Sequence, residues 1–323
     1  MSHFVVWVDT EDPSLIDMLM APFSENTENL DYLEFQSVDE EQRQKYETLT
    51  VDCIRMANGS IITAYDSFFR PYTIKNGVVY QKSSGRLHNE KRTKKAKKMT
   101  FLPDYPLKKV FRTYKDYMEL YCGYIYDEAK DAYGYYTNPN SFYDWYEVGG
   151  RWPNMFLVQT DCESAIDSEG EWIMSTYAPD GYKWTAGAHK RDIAWDVMKR
   201  LGIQKHTLLF HTLEDCFKIG MTPENYSHAR ITENGILNWQ SYLYRKGETL
   251  EQYLERNNLG LDCQYPCSPY GFVHDAQYCL RGHMGWFGIS TNEKDEKVWR
   301  DTVQRYLEEL PEDTFLVSLD CHV

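Results

Sequence analysis

Long apolar runs are absent from this chain. The longest, such as Phe4-Val-Val-Trp-Val8, stop far short of the ~20 residues a membrane-spanning helix needs, so no transmembrane segment is expected. The start, Met-Ser-His-Phe-Val-Val-Trp-Val-Asp, also lacks the basic region, long apolar core and small-residue cleavage site of a secretory leader, and reads as a strand. Cysteine is scarce. Eight occur in 323 residues, most among apolar neighbours, which excludes a disulfide-stapled secreted scaffold and points to free buried thiols in a reducing cytoplasm. Basic residues are outnumbered, 35 Lys/Arg against 49 Asp/Glu, and the net charge of −14 argues against a general nucleic-acid coat, because affinity for phosphate comes from clustered Lys and Arg. No P-loop or dinucleotide glycine loop, no Gly-x-Ser-x-Gly elbow and no His-Glu-x-x-His pair occurs, so standard enzyme signatures are missing.

What is present suffices for a large core. A chain of about 300 residues hides roughly three quarters of the surface its unfolded form exposes. The length leaves one compact body over residues 1–323 or two lobes open. Three Asn-Gly pairs, Asn58-Gly59, Asn76-Gly77 and Asn234-Gly235, lie between β-prone runs and predict hairpins with type I′ turns, hence a largely antiparallel sheet. Helices are marked by their ends: Asp12-Pro13 before Ser14–Met20, Thr113 before Tyr114–Cys122, Ala188–Leu201 ending at Gly202, the capping box Thr249–Gln252, and Lys294–Leu310 before Pro311. His3–Val8, Thr207–Phe210 and Thr314–Leu319 read as strands, with the two terminal ones suited to the sheet centre, and His206 and His211 as strand-end residues. Helices and strands do not alternate as βαβ units, so the expected class is α+β. The block Arg86–Lys98 holds seven Lys/Arg against one Glu and shows no apolar periodicity; it reads as a mobile, solvated loop, with an anionic partner as the alternative.

The densest unusual segment is Tyr133–Trp152, in which eight of twenty residues are aromatic and Gly149-Gly150 directly precedes Arg151. A Gly-Gly pair lets the backbone turn sharply and point its N–H groups at an anion. Arg151 would then grip a carboxylate or phosphate while a ring stacks on a base or sugar. Asp144, Trp145, Tyr146, Gly149, Gly150, Arg151 and Trp152 are therefore the candidate ligand-binding residues. The competing reading is an aromatic core corner with Arg151 paired to Asp144 or Glu147.

The start Met1-Ser-His-Phe4, the segment Asn138-Pro-Asn140 through Asp144-Trp-Tyr-Glu-Val-Gly-Gly-Arg-Trp152, the stretch Ala188–Trp195 with Met198, Gly282–Gly288 and the ending Leu319-Asp-Cys-His-Val323 resemble a family of uncharacterised proteins of phages, prophages and bacteria. The resemblance runs from end to end and implies a shared origin and fold, but no activity. The basic block 86–98 and the cysteine-rich stretch 263–279 depart from that pattern.

Asp320 and His322 are two apart on an expected strand and so share a face, with Cys321 on the other; an adjacent N-terminal strand would add His3. A carboxylate with one or two imidazoles is a general-base or metal constellation, and His3, His283, Asp320 and His322 are the catalytic candidates. Strand ends that meet only water explain the same residues. Cys263-x3-Cys267 and, eleven residues on, Cys279-x3-His283 have zinc-like spacing, so a structural zinc on Cys263, Cys267, Cys279 and His283 stands against free thiols around Pro266 and Pro269; no other cofactor is expected.

Three functions compete. The first is a cytoplasmic, phage-linked protein that binds a small anionic, nucleotide-like ligand in an aromatic and arginine pocket, as a sponge or sensor in counter-defence. The second is a hydrolase using Asp320 and His322 with or without a metal, and the third an acidic protein that imitates nucleic acid to occupy a host factor. No membrane partner is expected, and direct nucleic-acid binding is disfavoured by the charge.

Overall fold

The computed structural model describes residues 2–83, 92–96, 98–168, 177–239, 241–285 and 288–323, and divides into two compact units, Leu33–Thr137 and the remainder. The fold is α+β with mostly antiparallel strands. Among the described residues no helix is long and apolar enough to cross a membrane.

The larger unit is built on a six-stranded sheet of β1 (His3–Thr10), β2 (Trp145–Val148), β3 (Gly187–His189), β4 (Gly271–His274), β5 (Gln277–Leu280) and β6 (Phe315–His322). Its order is β2-β6-β1-β4-β5, with β3 pairing on β6 beyond β2; only the β1–β4 pair is parallel. The two terminal strands are central, as their apolar runs require: a strand covered on both faces cannot alternate apolar with polar. Val5, Trp7, Phe272 and Leu316 face one apolar layer, where α3 (Glu296–Glu309) contributes Trp299, Val303 and Leu307. Phe4, Val6, Val8, Val317 and Leu319 face the other, with Ile16, Met20, Phe23 and Tyr143. Trp7 is completely buried.

Helix ends follow their caps. Thr249 and Gln252 close the capping box of α2 (Leu250–Arg256), and Asp295 caps α3 by accepting the N–H groups of Lys297 and Val298. One assignment is corrected. α1 runs Trp195–Ile219, straight through Gly202, so Thr207–Phe210 is helix, His206 and His211 are helical, and 187–192 is a strand and a short 3-10 turn. Glycine costs about 1 kcal/mol inside a helix. Here it makes room: a Cβ on Gly202 would sit 2.7 Å from Leu259 Cδ2. The apolar residues Met198, Phe210 and Leu213 fall on the buried side of this helix.

The smaller unit carries three-stranded antiparallel sheets, the helix Asp39–Thr48, and separate cores around Tyr46, Leu107 and Met118 and around Ile54, Phe69 and Val79. All three expected hairpins are present, but only Asn76-Gly77 has positive φ at both residues (49° and 71°). At Asn58-Gly59 the glycine alone is left-handed, and Thr232 pairs with Gly235 so that Glu233 and Asn234 form the other loop. Within the basic block, Arg92–Lys95 is a strand rather than loop; residues 86–91 and 97 lie outside the described residues.

Candidate functional site

β1 and β6 run antiparallel with His3 opposite His322 and Val5 opposite Asp320, so alternation places His3, Asp320 and His322 on one face. β2 adds Trp145 opposite His322 on that face. The residues assemble into two His–Asp pairs. His3 Nδ1 donates to Asp320 Oδ1 at 2.9 Å, and His322 Nδ1 donates to Asp144 Oδ1 at 2.7 Å. The imidazole rings meet edge to face with centroids 4.9 Å apart, and Trp145 stacks on His322. A neutral imidazole that donates from Nδ1 keeps Nε2 as an acceptor. In His322 that atom is buried without a partner among the described residues.

The glycine pair explains how Asp320 is held. Gly149 and Gly150 both have positive φ, 74° and 42°, and a Cβ on Gly150 would lie 2.4 Å from Asp320 Cβ. No L side chain fits there. The tight turn brings Arg151 N–H to Asp320 Oδ2 at 3.0 Å, so this carboxylate, 1% exposed, has both oxygens bonded. The expected anion-facing N–H groups are therefore spent inside the protein: Gly149 N–H bonds Ser318 O, Gly150 N–H bonds Val148 O, and Arg151 N–H bonds Asp320. The anion that the turn holds is the chain's own.

Two groups of residues expected apart thus form one constellation, but not one pocket. Tyr146 lies on the opposite face and its hydroxyl donates to Asp17. The Arg151 side chain is exposed. Of the aromatic motif, Trp152 lines the cleft that His3 borders, about 380 Å³ in volume, together with Val5, Asn258, Arg281 and Arg300. Arg256 also borders it, but its guanidinium is committed to Glu248 and to the carbonyls of Tyr242 and Leu243. Arg281 donates to Glu293 at 3.1 Å, whereas its Nε and Oδ1 of Asn258, another lining residue, are buried and unpaired among the described residues. These arginines and Asn258, which has a left-handed backbone (φ 59°), were not legible as site residues. No local motif marks them.

Among the described residues the four zinc candidates are not gathered into one group, and His283 stands apart from Asp320. Cys263 Sγ donates to Asn258 O and Tyr265 O, Cys267 and Cys279 pack against the core beneath the sheet, and Cys279 accepts from Lys294. Burial pushes the Cys263 and Cys267 thiols up. His283 sits exposed on a short strand in a different cleft, with Phe4 and Tyr143, whose side chains face away from Asp320. Among the described residues no group of three or more His, Cys, Asp or Glu is placed to hold a metal. His206, expected at a strand end, is instead half-buried in α1 with its pKa lowered by burial, then by Lys205 and Arg256.

No protein-family profile, curated protein or solved structure matches this chain.

Proposed function

We propose that this chain binds a small anionic ligand, nucleotide-like in size, in the cleft beside His3. The observation that carries the reading is a pair of unspent groups on two residues that line the cleft, the buried donor Arg281 Nε and the buried acceptor Asn258 Oδ1. Each such group costs roughly 1–3 kcal/mol while unpaired, and a ligand offering an acceptor to one and a donor to the other relieves both. Arg300 adds positive charge and Trp152 a ring for stacking. A nucleotide carries all the complements: phosphate, amine or amide donors, and a flat base. The volume lies within the range of small-molecule sites. In the phage setting implied by the sequence resemblance, such a binder would act as a sponge or sensor.

The His3–Asp320 pair favours a second reading, hydrolysis in the same cleft, with Nε2 of His3 taking a proton from water while Asp320 fixes the ring. Both readings meet in one experiment. The purified protein is incubated with pooled nucleotides, and supernatant and heat-released material are analysed by mass spectrometry. Unchanged nucleotide released from the wild type and absent from Arg281→Gln supports binding. Product that disappears in His3→Gln supports hydrolysis. Neither ligand nor product would contradict both and leave the acidic interaction protein.

A further inference from the structure

The charge is divided unequally between the two units. Leu33–Thr137 holds 18 Lys/Arg against 14 Asp/Glu, a net +4, while the remainder holds 17 against 35, a net −18. A whole-chain charge of −14 therefore says nothing against an anionic partner for the smaller unit. Within that unit Tyr72–Lys75, Val78–Ser83 and Arg92–Lys95 form an antiparallel sheet with Val78–Ser83 in the middle. One face is closed, because Val79 is buried with Ile74 and Ala96 against Ile54 and Phe69. Alternation puts Tyr80 and Lys82 on the other face. Tyr80 is directly across from Lys95 on one side and from Thr73 on the other, with Lys75 two residues along from Thr73. Lys75, Lys82 and Lys95 are exposed and Tyr80 is partly exposed; Lys82 Nζ also donates to Arg70 O. The segment leading into the sheet exposes two further rings, Tyr65 at 87% and Phe68 at 75%.

We propose that this open sheet face binds single-stranded nucleic acid, with Lys75, Lys82 and Lys95 following the phosphates and Tyr80 stacking on a base. Lysines around a ring on a flat sheet are what such a strand requires: charge for the backbone and a platform that any base accepts. A duplex is the poorer fit, since its bases are already stacked and this face carries no helix to enter a groove. Lysine on an edge strand also serves to prevent edge-to-edge pairing. That role accounts for Lys75 and Lys95, on the two edge strands, but not for Lys82, which is on the central strand.

The test is fluorescence anisotropy of the full chain with a labelled oligothymidylate of about 20 nucleotides at several salt concentrations. Affinity is expected to fall with salt, at a slope near −0.7 for each phosphate neutralised and so about −2 for three. Lys82→Ala combined with Lys95→Ala should weaken binding at least tenfold and flatten that slope. Tyr80→Leu should weaken it roughly tenfold at unchanged slope, and Tyr80→Phe should bind as the wild type does. All variants are checked for an unchanged circular-dichroism melt, which their exposed positions lead us to expect. No binding by wild type, equal binding by the lysine variant, or equal affinity for a duplex or an acidic peptide would overturn the proposal. The outcome is independent of the cleft beside His3.

Discussion

The two units solve the burial problem differently. In the larger one a single sheet is covered on both faces, so β1 and β6 are nearly unbroken apolar runs and residues such as Trp7, Leu316 and Val317 have no exposure. In the smaller one the sheets are short, and the sheet centred on Val78–Ser83 closes one face only, so its side chains alternate and Val79 is buried while Lys82 is exposed. The consequence reaches function. A doubly covered sheet has only its strand ends left for chemistry, and that is where His3, Asp320 and His322 stand. A singly covered sheet leaves a whole face for a partner. Averaged over the chain, these opposite designs cancel into one unremarkable acidic composition.

Substitutions sharpen the contrast, beginning with the largest effect. Trp7→Ala removes a fully buried ring from the doubly covered sheet and should cost about 3–5 kcal/mol, read as a lower denaturant midpoint. A loss below about 1 kcal/mol would show that the sheet is not packed on both sides. Gly150→Ala should follow. Its Cβ would collide with Asp320 in a left-handed conformation, a combination worth roughly 1–3 kcal/mol, and it should abolish ligand retention even where the protein stays folded. Full retention would mean that the cleft does not depend on how Asp320 is held.

A smaller effect concerns the far end of the same strand, where His274 Nδ1 donates to Asp9 at 3.0 Å and Tyr306 donates to Asp9 at 2.8 Å. Burial opposes the charge on His274, but the hydrogen bond to Asp9 and the charges of Asp9, Asp275 and Glu309 outweigh it, so its pKa is raised. A raised pKa contributes stability that is fully present below the unfolded value, about 6.5, and is lost as pH rises through the folded value. The stability advantage of wild type over His274→Gln should therefore be present in mildly acidic solution and fade above neutrality. Parallel thermal-midpoint curves across that range would show that the pair carries no such linkage.

Much of this was legible in local patterns. The apolar terminal strands, the spacing of Asp320 and His322, the Asn-Gly hairpins and the capping box at Thr249 each depend on neighbours in sequence. Gly202 misled because helix propensity marks it as a stop, whereas its tertiary contact with Leu259 makes it a permitted interior residue. The Gly149-Gly150 turn was recognised as tight, but sequence alone gave no sign that its N–H groups serve Asp320, 170 positions beyond Gly150. Likewise the zinc-like spacing of Cys263, Cys267, Cys279 and His283 is a spacing along the chain, whereas in the fold Cys279 packs against the core and His283 borders a different cleft. Arg281 and Arg300 come from a strand end and a helix, and only the fold brings them to His3.

The central claim is that the cleft beside His3 holds an anion through Arg281. Its most direct test is the thermal midpoint of wild type and Arg281→Gln with and without each member of a panel of nucleoside phosphates. Arg281→Gln gives up a partly exposed pair of little energetic weight with Glu293 and removes the buried, unpaired Nε, so without ligand it should melt no lower than the wild type. At ligand near 100 times its dissociation constant, binding adds about 2.7 kcal/mol to the wild type. The account predicts a raised midpoint for wild type with at least one nucleotide and none for Arg281→Gln. An equal rise in both proteins, or none in either across the panel, would contradict it.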